Sequence, residues 1–260
     1  MASLPAIFVS HGAPDLLLHE TPSRAFLKQL GQHLEPPRAI LIISAHWLTQ
    51  VPTVSTAAQV TTIHDFWGFP AELYAMHYIA PGAPELATQV KTLLATAGFE
   101  TATHPSRGLD HGAWEPLVLM YPEAGIPVMQ LSLQPAQGTH YHYRLGQAIA
   151  PLRQAGVLIL ASGSATHNLR AFGAYSLNAK PPDWAKQFDD WLATAIAQND
   201  VDALLDYRSQ APYAVQNHPS DEHLLPLFVA LGAGGEAPRG TELHRSFTYG
   251  AFSMAAYAFS

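Results

Sequence analysis

Ala39-Ile40-Leu41-Ile42-Ile43-Ser44-Ala45-His46-Trp47 is an unbroken apolar run that stops at a small polar residue and then a histidine. A run of this length without polar alternation suits a strand covered on both faces of a parallel sheet. Reacting groups in open α/β sheets gather at the carboxyl ends of such strands, and His46 falls just past this one. Two further stretches repeat the arrangement. Ala6-Ile7-Phe8-Val9-Ser10 runs into His11, and Val157 to Ser164 leads to His167. Laid side by side, the three strands bring His11, His46 and His167 to one rim.

Working outward, the segments between these strands read mainly as helices. Thr21-Pro22-Ser23 opens one that runs to about Leu34, and Pro36-Pro37 closes it. Pro84 to Ala97 places Leu86, Val90, Leu93 and Leu94 on one face, with Gly98 behind it as a C-cap. Tyr141–Gln154, Trp184–Gln198, Val201–Tyr207 and Glu222–Leu231 complete the helices, with Pro226 kinking the last or marking its true start, and Asn217-His218-Pro219 resembles a helix start. Val51–Ser55 reads as an edge strand, Ile126–Leu133 as a further strand and Phe247–Phe259 as a final one. The aromatic, non-periodic stretches 61–70 and 107–114 read as loops, the first either a pocket wall or a packed surface loop. No repeat or linker divides the chain. The expectation is one α/β domain over residues 1–260, with a mostly parallel central sheet flanked by helices.

Of the 260 residues, 48% are hydrophobic and only 13% charged, which argues against disorder. The net charge of -7, without any basic cluster, argues against nucleic acid as a partner. No apolar segment approaches the ~20 residues of a membrane span, and no secretion signal opens the sequence. A soluble, cytoplasmic protein without a membrane partner is expected. Cysteine is absent, which excludes thiolate metal sites and cysteine nucleophiles. Imidazole, from 14 histidines, is then the main metal ligand besides carboxylate.

His11 and His46 stand at strand ends and His223 near a helix start, so no amphipathic core face accounts for them. Any one of them alone is as readily a hydrogen-bonded loop residue. As a set they favour a shared metal, with zinc, iron, copper or nickel all accepting imidazole. Three protein ligands with open positions describe a catalytic rather than a structural site. His167 is then a fourth ligand or a general acid/base. A serine nucleophile at Ser162 or Ser164 is disfavoured, because the Gly-x-Ser-x-Gly elbow is missing. His111 either contacts a bound ligand or anchors its loop. His140 and His142 lie two apart on different helix faces and read as surface residues.

Six motifs, in order along nearly the whole chain, carry a resemblance. Ser10-His11-Gly12-Ala13-Pro14, Ser44-Ala45-His46-Trp47, Ile63 to Pro70, Leu109 to Trp114, Ser162 to Leu169 and Glu222-His223-Leu224-Leu225-Pro226 together resemble the DOPA-dioxygenase branch of the LigB-like extradiol ring-cleavage dioxygenases. The resemblance implies one divalent metal per chain: Fe(II) for activity, with Zn(II) a possible occupant. It implies a catechol opened by O2 beside its two hydroxyls. By motif, His11, His46 and His223 would be the metal ligands, the third standing where ring-cleaving relatives typically carry glutamate. His167 would be the acid/base and possible fourth ligand, and His111 a residue near the substrate hydroxyl. His64, Trp67, Phe69 and Trp114 would line the substrate. The alternatives are a zinc hydrolase using metal-bound hydroxide and a metal-binding protein without turnover. Monomer and homodimer serve equally, and Arg107 or Arg170 would hold a substrate carboxylate if one is bound.

Overall fold

The computed structural model describes residues 3–260. Its main sheet is built from β1 (Ala6–Ser10), β2 (Ala39–Leu48), β3 (Thr53–Ser55), β4 (Ala102–His104), β5 (Val128–Leu133), β6 (Val157–Gly163), β7 (Gly240–His244) and β8 (Ala256–Phe259). Their order across the sheet is β4-β3-β5-β2-β6-β1-β8-β7. The central strands β5, β2, β6 and β1 are mutually parallel. The flanks reverse direction where β3 meets β5 and where β8 meets β1. The α/β class and the mostly parallel sheet are as the apolar runs predict.

The apolar continuity of β2 has the expected cause. Leu41 and Ile43, with Ile159 and Ala161 of β6, face one core. Ile40 and Ile42, with Leu158 and Leu160, face the other. Six main helices cover the two sides: α1 (Pro22–His33), α2 (Pro84–Thr96), α3 (His111–Met120), α4 (Gly138–Ile149), α5 (Asp183–Gln198) and α6 (Leu225–Ala233). Helices α2, α4, α5 and α6 contribute to the first core, and α1 and α3 to the second. Residues at both parities of the strand are therefore buried, and alternation has no use.

Several boundaries differ from expectation for local reasons. Strand β2 continues to Leu48, so His46 lies on it rather than past it; its pairing with β5 slips between Ile43 and Leu48. Residues 44–47 form an irregularity there, of the kind that re-aims side chains beside active sites. Strand β3 is not an edge, because β4 lies outside it. Helix α4 stops at Ile149, and Pro151 sits at the start of a 3-10 turn, Ala150–Ala155. Asn217 ends the short helix Ala214–Asn217 instead of starting one. Pro226 marks a true helix start, leaving Glu222 and His223 in the turn before α6. The segment 247–259 is three short strands rather than one. His142 is fully buried, not at the surface: its Nε2 accepts from the Gln134 amide at 3.1 Å and its Nδ1 donates to the Gly138 carbonyl at 2.7 Å. No helix among the described residues is long and apolar enough to cross a membrane.

Candidate active site

The carboxyl ends of β1, β2 and β6 stand level, Ser10 beside Gly163 and Ser44 beside Ser162. From this line His11 and His46 reach the same point. Nε2 of His46 lies 3.2 Å from Nε2 of His11 and 3.2 Å from Nε2 of His223. His223 arrives from the turn before α6, which docks on β6 through a bond from the Ser164 amide to the His223 carbonyl, 2.8 Å.

The far sides of the His11 and His223 rings are engaged, which sets their tautomers. The Ser162 hydroxyl donates to the Gly112 carbonyl, so it accepts from Nδ1–H of His11 at 3.0 Å. Nδ1 of His46 lies 3.6 Å from Asp65, and Nδ1 of His223 lies 3.3 Å from Glu222. Protons held on Nδ1 of His11 and His223 leave their Nε2 lone pairs turned toward Nε2 of His46, the convergence metal-binding histidines adopt. Burial, then the neighbouring imidazoles, holds His11 and His223 well below the usual histidine range. Burial and His111 bring His46 to about 4 against the pull of Asp110 and Asp65. The rings are thus neutral at pH 7, the form that ligates. Three neutral, convergent imidazoles, two buried and one half-buried, fit a divalent cation, and no cysteine competes for it.

Two further histidines border the cluster. The ring of His167 stacks on that of His223, with centroids 3.4 Å apart and planes at 8°. Burial, then His218, His46 and His111, lowers His167 to about 3. Its nearest ligand-type neighbours are Glu222 and His223 rather than the His11–His46 pair. The ring centroid of His111 is 3.9 Å from that of His46. It opens α3, whose N-cap Asp110 accepts from the Ala113 amide at 3.2 Å. Asp65 fixes His111 twice, accepting from its backbone N–H and its Nδ1 at 2.9 Å each. Burial alone would lower His111, but the Asp65 hydrogen bond and the fields of Glu115, Asp65 and Asp110 outweigh it and raise the pKa. Asp65, paired in this way, falls to about 2 despite partial burial.

Above the cluster lies a cavity of about 540 Å³ that His11, His46, His111, His167 and His223 all line. Trp67 and Phe69 line it as well, so the 61–70 loop is a pocket wall. Trp114 and His64 are not at the surface of this pocket. Trp114 is fully buried behind it and donates to the Ile63 carbonyl at 3.1 Å, while His64 is bonded to the Met76 carbonyl at 2.9 Å. Both brace the loop from behind, and an aromatic residue in a non-periodic stretch gives no sign of which side it faces. Arg107 is tied to buried Asp110 at 2.9 Å, and Arg170 does not line the cavity. The orienting roles of Asp65 and Ser162 have no local signal in the sequence, because their partners His111 and His11 lie 46 and 151 residues away.

Comparison with known proteins agrees along the chain. The family model described as the catalytic LigB subunit of aromatic ring-opening dioxygenase matches residues 6–260. A protein of Beta vulgaris named 4,5-DOPA dioxygenase extradiol is 47% identical over 258 residues, covering 97% of this chain and 95% of that one. A protein of the same name from Escherichia coli K12 is 37% identical over 239 residues, 90% and 87% of the two chains. The crystal structure of an uncharacterised Escherichia coli K12 protein superposes with a TM-score of 0.80 at 30% identity, covering 98% of this chain and 99% of that one. A chain with this sheet and this cluster of histidines, matched over nearly its whole length, belongs to the LigB family of aromatic ring-opening dioxygenases.

Proposed function

We propose that the chain is an extradiol dioxygenase that opens a catechol ring with O2, using one Fe(II) held by His11, His46 and His223. The observation that carries this is the convergence of three Nε2 atoms at the floor of a cavity whose other polar residues are histidines and one aspartate. The catechol comes to this chain from the names of its relatives. The relatives do not favour a zinc hydrolase or a protein without turnover.

Iron, when bound, supplies a centre on which catechol and O2 meet and exchange electrons. The remaining work falls to the chain. The aromatic wall shields the cluster from water and offers apolar faces to the substrate ring. His167 lines the cavity and stands outside the convergent trio, a position from which to take a proton from the catechol and return it to the product. His111, its Nδ1 committed to Asp65, presents Nε2 to a phenolic oxygen. Ring opening breaks the carbon–carbon bond beside the diol and places both atoms of O2 in the product.

The test is anaerobic reconstitution of metal-free protein with Fe(II) and, separately, with Zn(II), followed by catechol and air. Oxygen uptake stoichiometric with a yellow ring-opened product is expected with iron and not with zinc, which has no accessible redox step. His167→Gln is expected to keep its metal and lose at least ~100-fold in kcat, the usual scale for a positioned acid/base. Loss of metal from that variant would make His167 a fourth ligand.

A further inference from the structure

At about 540 Å³ the cavity has room for more than a bare catechol ring. Trp67 (85% exposed), Leu169 (65%) and Phe172 (42%) line it and mark its mouth. Among the described residues its one charged lining side chain besides histidine is Asp65, which lies beside the cluster and is bonded to His111 at 2.9 Å. A catechol whose hydroxyls face the cluster sends its substituent toward the mouth. A negatively charged substituent is directed there twice over, away from Asp65 and toward water.

One cation stands at that mouth. Arg170 lies between the wall residues Leu169 and Phe172, on the 3-10 turn Leu169–Ala171. Three residues make one turn of such a helix. Leu169 and Phe172 therefore share the side that meets the cavity, and Arg170 stands a third of a turn round, at the lip. Asn168 holds the turn in place: its Oδ1 accepts from the Arg170 amide at 3.0 Å, and its Nδ2 donates to the Gln216 carbonyl at 2.6 Å. The Arg170 side chain, by contrast, is exposed, and no hydrogen bond or ion pair engages its guanidinium among the described residues. Arg107, the other cation close to the site in sequence, is bonded to Asp110 at 2.9 Å and lies over the Trp47 ring. A guanidinium on an anchored backbone offers a planar fork of donors that matches a carboxylate. Its stem packs along apolar wall while the head stays at the water boundary.

We infer that Arg170 is a specificity residue that pairs with a carboxylate on the substrate's side chain, so that the chain prefers catechols bearing one to catechols without. This rests on the ring-opening reading above, which takes its catechol from relatives named for DOPA, a catechol amino acid. The pair forms beside apolar walls, where charges attract more strongly than in open water, yet near enough to solvent for salt to weaken it.

The experiment compares kcat/KM of the iron-loaded protein and its Arg170→Met variant on DOPA, 3-(3,4-dihydroxyphenyl)propionate, dopamine and 4-methylcatechol. For both carboxylates the ratio to 4-methylcatechol is expected to fall ~10-fold in the variant, the scale of a charge-assisted hydrogen bond partly open to water. The loss should appear in KM rather than kcat. The ratio for dopamine, which has the amine without the carboxylate, should not fall. Arg170→Lys should restore part of the ratio, and ~0.5 M salt should shrink the wild-type preference. Equal losses on all four compounds would make Arg170 a prop of its turn, and no loss on any would leave the carboxylate in water; either overturns the inference. Metal-free protein titrated with the same compounds, followed by tryptophan fluorescence, makes the comparison without turnover. The propionate should bind wild type more tightly than 4-methylcatechol does and lose that advantage in Arg170→Met. No oxygen uptake with any catechol would instead overturn the ring-opening reading, and the titration would then decide the Arg170 pairing by itself.

Discussion

Glu115 lies one helical turn beyond His111, fully buried, and neither carboxylate oxygen has a hydrogen-bond partner within the protein. Burial pushes its pKa up to about 8, with His111 pulling it down and Asp65, Asp15 and Asp110 adding to the rise. An acid whose folded pKa lies above its unfolded one costs stability, and the sign follows from the protons. Below about 4.5 both states hold the proton and nothing is lost. From there to about 8 the unfolded chain ionises while the folded one does not, at ~1.4 kcal/mol per pH unit. Glu115→Leu is therefore expected to stabilise the protein by ~2–4 kcal/mol at pH 8 and hardly at all at pH 4.5, as denaturant titrations at the two pH values would show. Equal effects at both would mean that the carboxyl is ionised in the fold. Residues of this kind are poorly legible in a sequence. His11, His46, His167 and His223 announce themselves by following apolar runs or by standing in recognisable motifs. The bond from Asp65 to His111 joins residues 46 apart, and whether Trp114 faces a pocket or a core depends on packing that no local pattern encodes.

Among elements, the junction of β6 with the turn before α6 controls the third proposed ligand. A methyl group added at Gly163 would lie 2.1 Å from the His223 carbonyl, closer than any real contact. Gly112 is as confined, its missing Cβ falling 2.6 Å from the Ser44 hydroxyl and 2.8 Å from the His46 ring. These two glycines let α3 and the His223 turn abut the strand ends. Gly163→Ala is expected to push the turn away and weaken metal binding by at least ~10-fold, equivalent to 1.4 kcal/mol, with the far-UV circular dichroism unchanged. Metal content after equilibrium dialysis measures it, and an unaltered affinity would mean that His223 follows its turn without loss. Most long elements could be read from their period and caps; α3 could not, because residues 107–114 show no apolar period and read as a loop, whereas the chain turns helical at His111 behind its Asp110 cap. Thr21, accepting from the Arg24 amide at 3.2 Å with Pro22 behind it, begins α1 where expected. Local irregularities could not: the β2–β5 pairing steps from Ile43 with Leu131 to Leu48 with Leu133, leaving residues 44–47 opposite Ser132 alone.

At the scale of the whole molecule, the site has no local support. Its proposed ligands come from residues 11, 46 and 223, and His142 and His218 lie elsewhere in the same core, each lowered to about 4 by burial first of all. A group whose folded pKa lies below its unfolded value stabilises above the unfolded value, near 6.5, and the benefit is lost as pH falls toward 4, because the unfolded chain then binds the protons. Metal-free protein is expected to melt progressively lower between pH 7.5 and 5. The loaded protein should start higher and converge with it over the same interval as the ligands protonate and the metal leaves. Calorimetry of both forms measures this, and parallel curves would mean that the metal is held elsewhere. The closing of β1 against the end of the chain has a further consequence in time. Ser10, next to His11, donates its hydroxyl to the carbonyl of Ala255, 245 residues away. During synthesis this tie on the strand that leads into His11 forms only after the segment up to Ala255 has been made. The three convergent imidazoles, at residues 11, 46 and 223, come together only once most of the chain has been made.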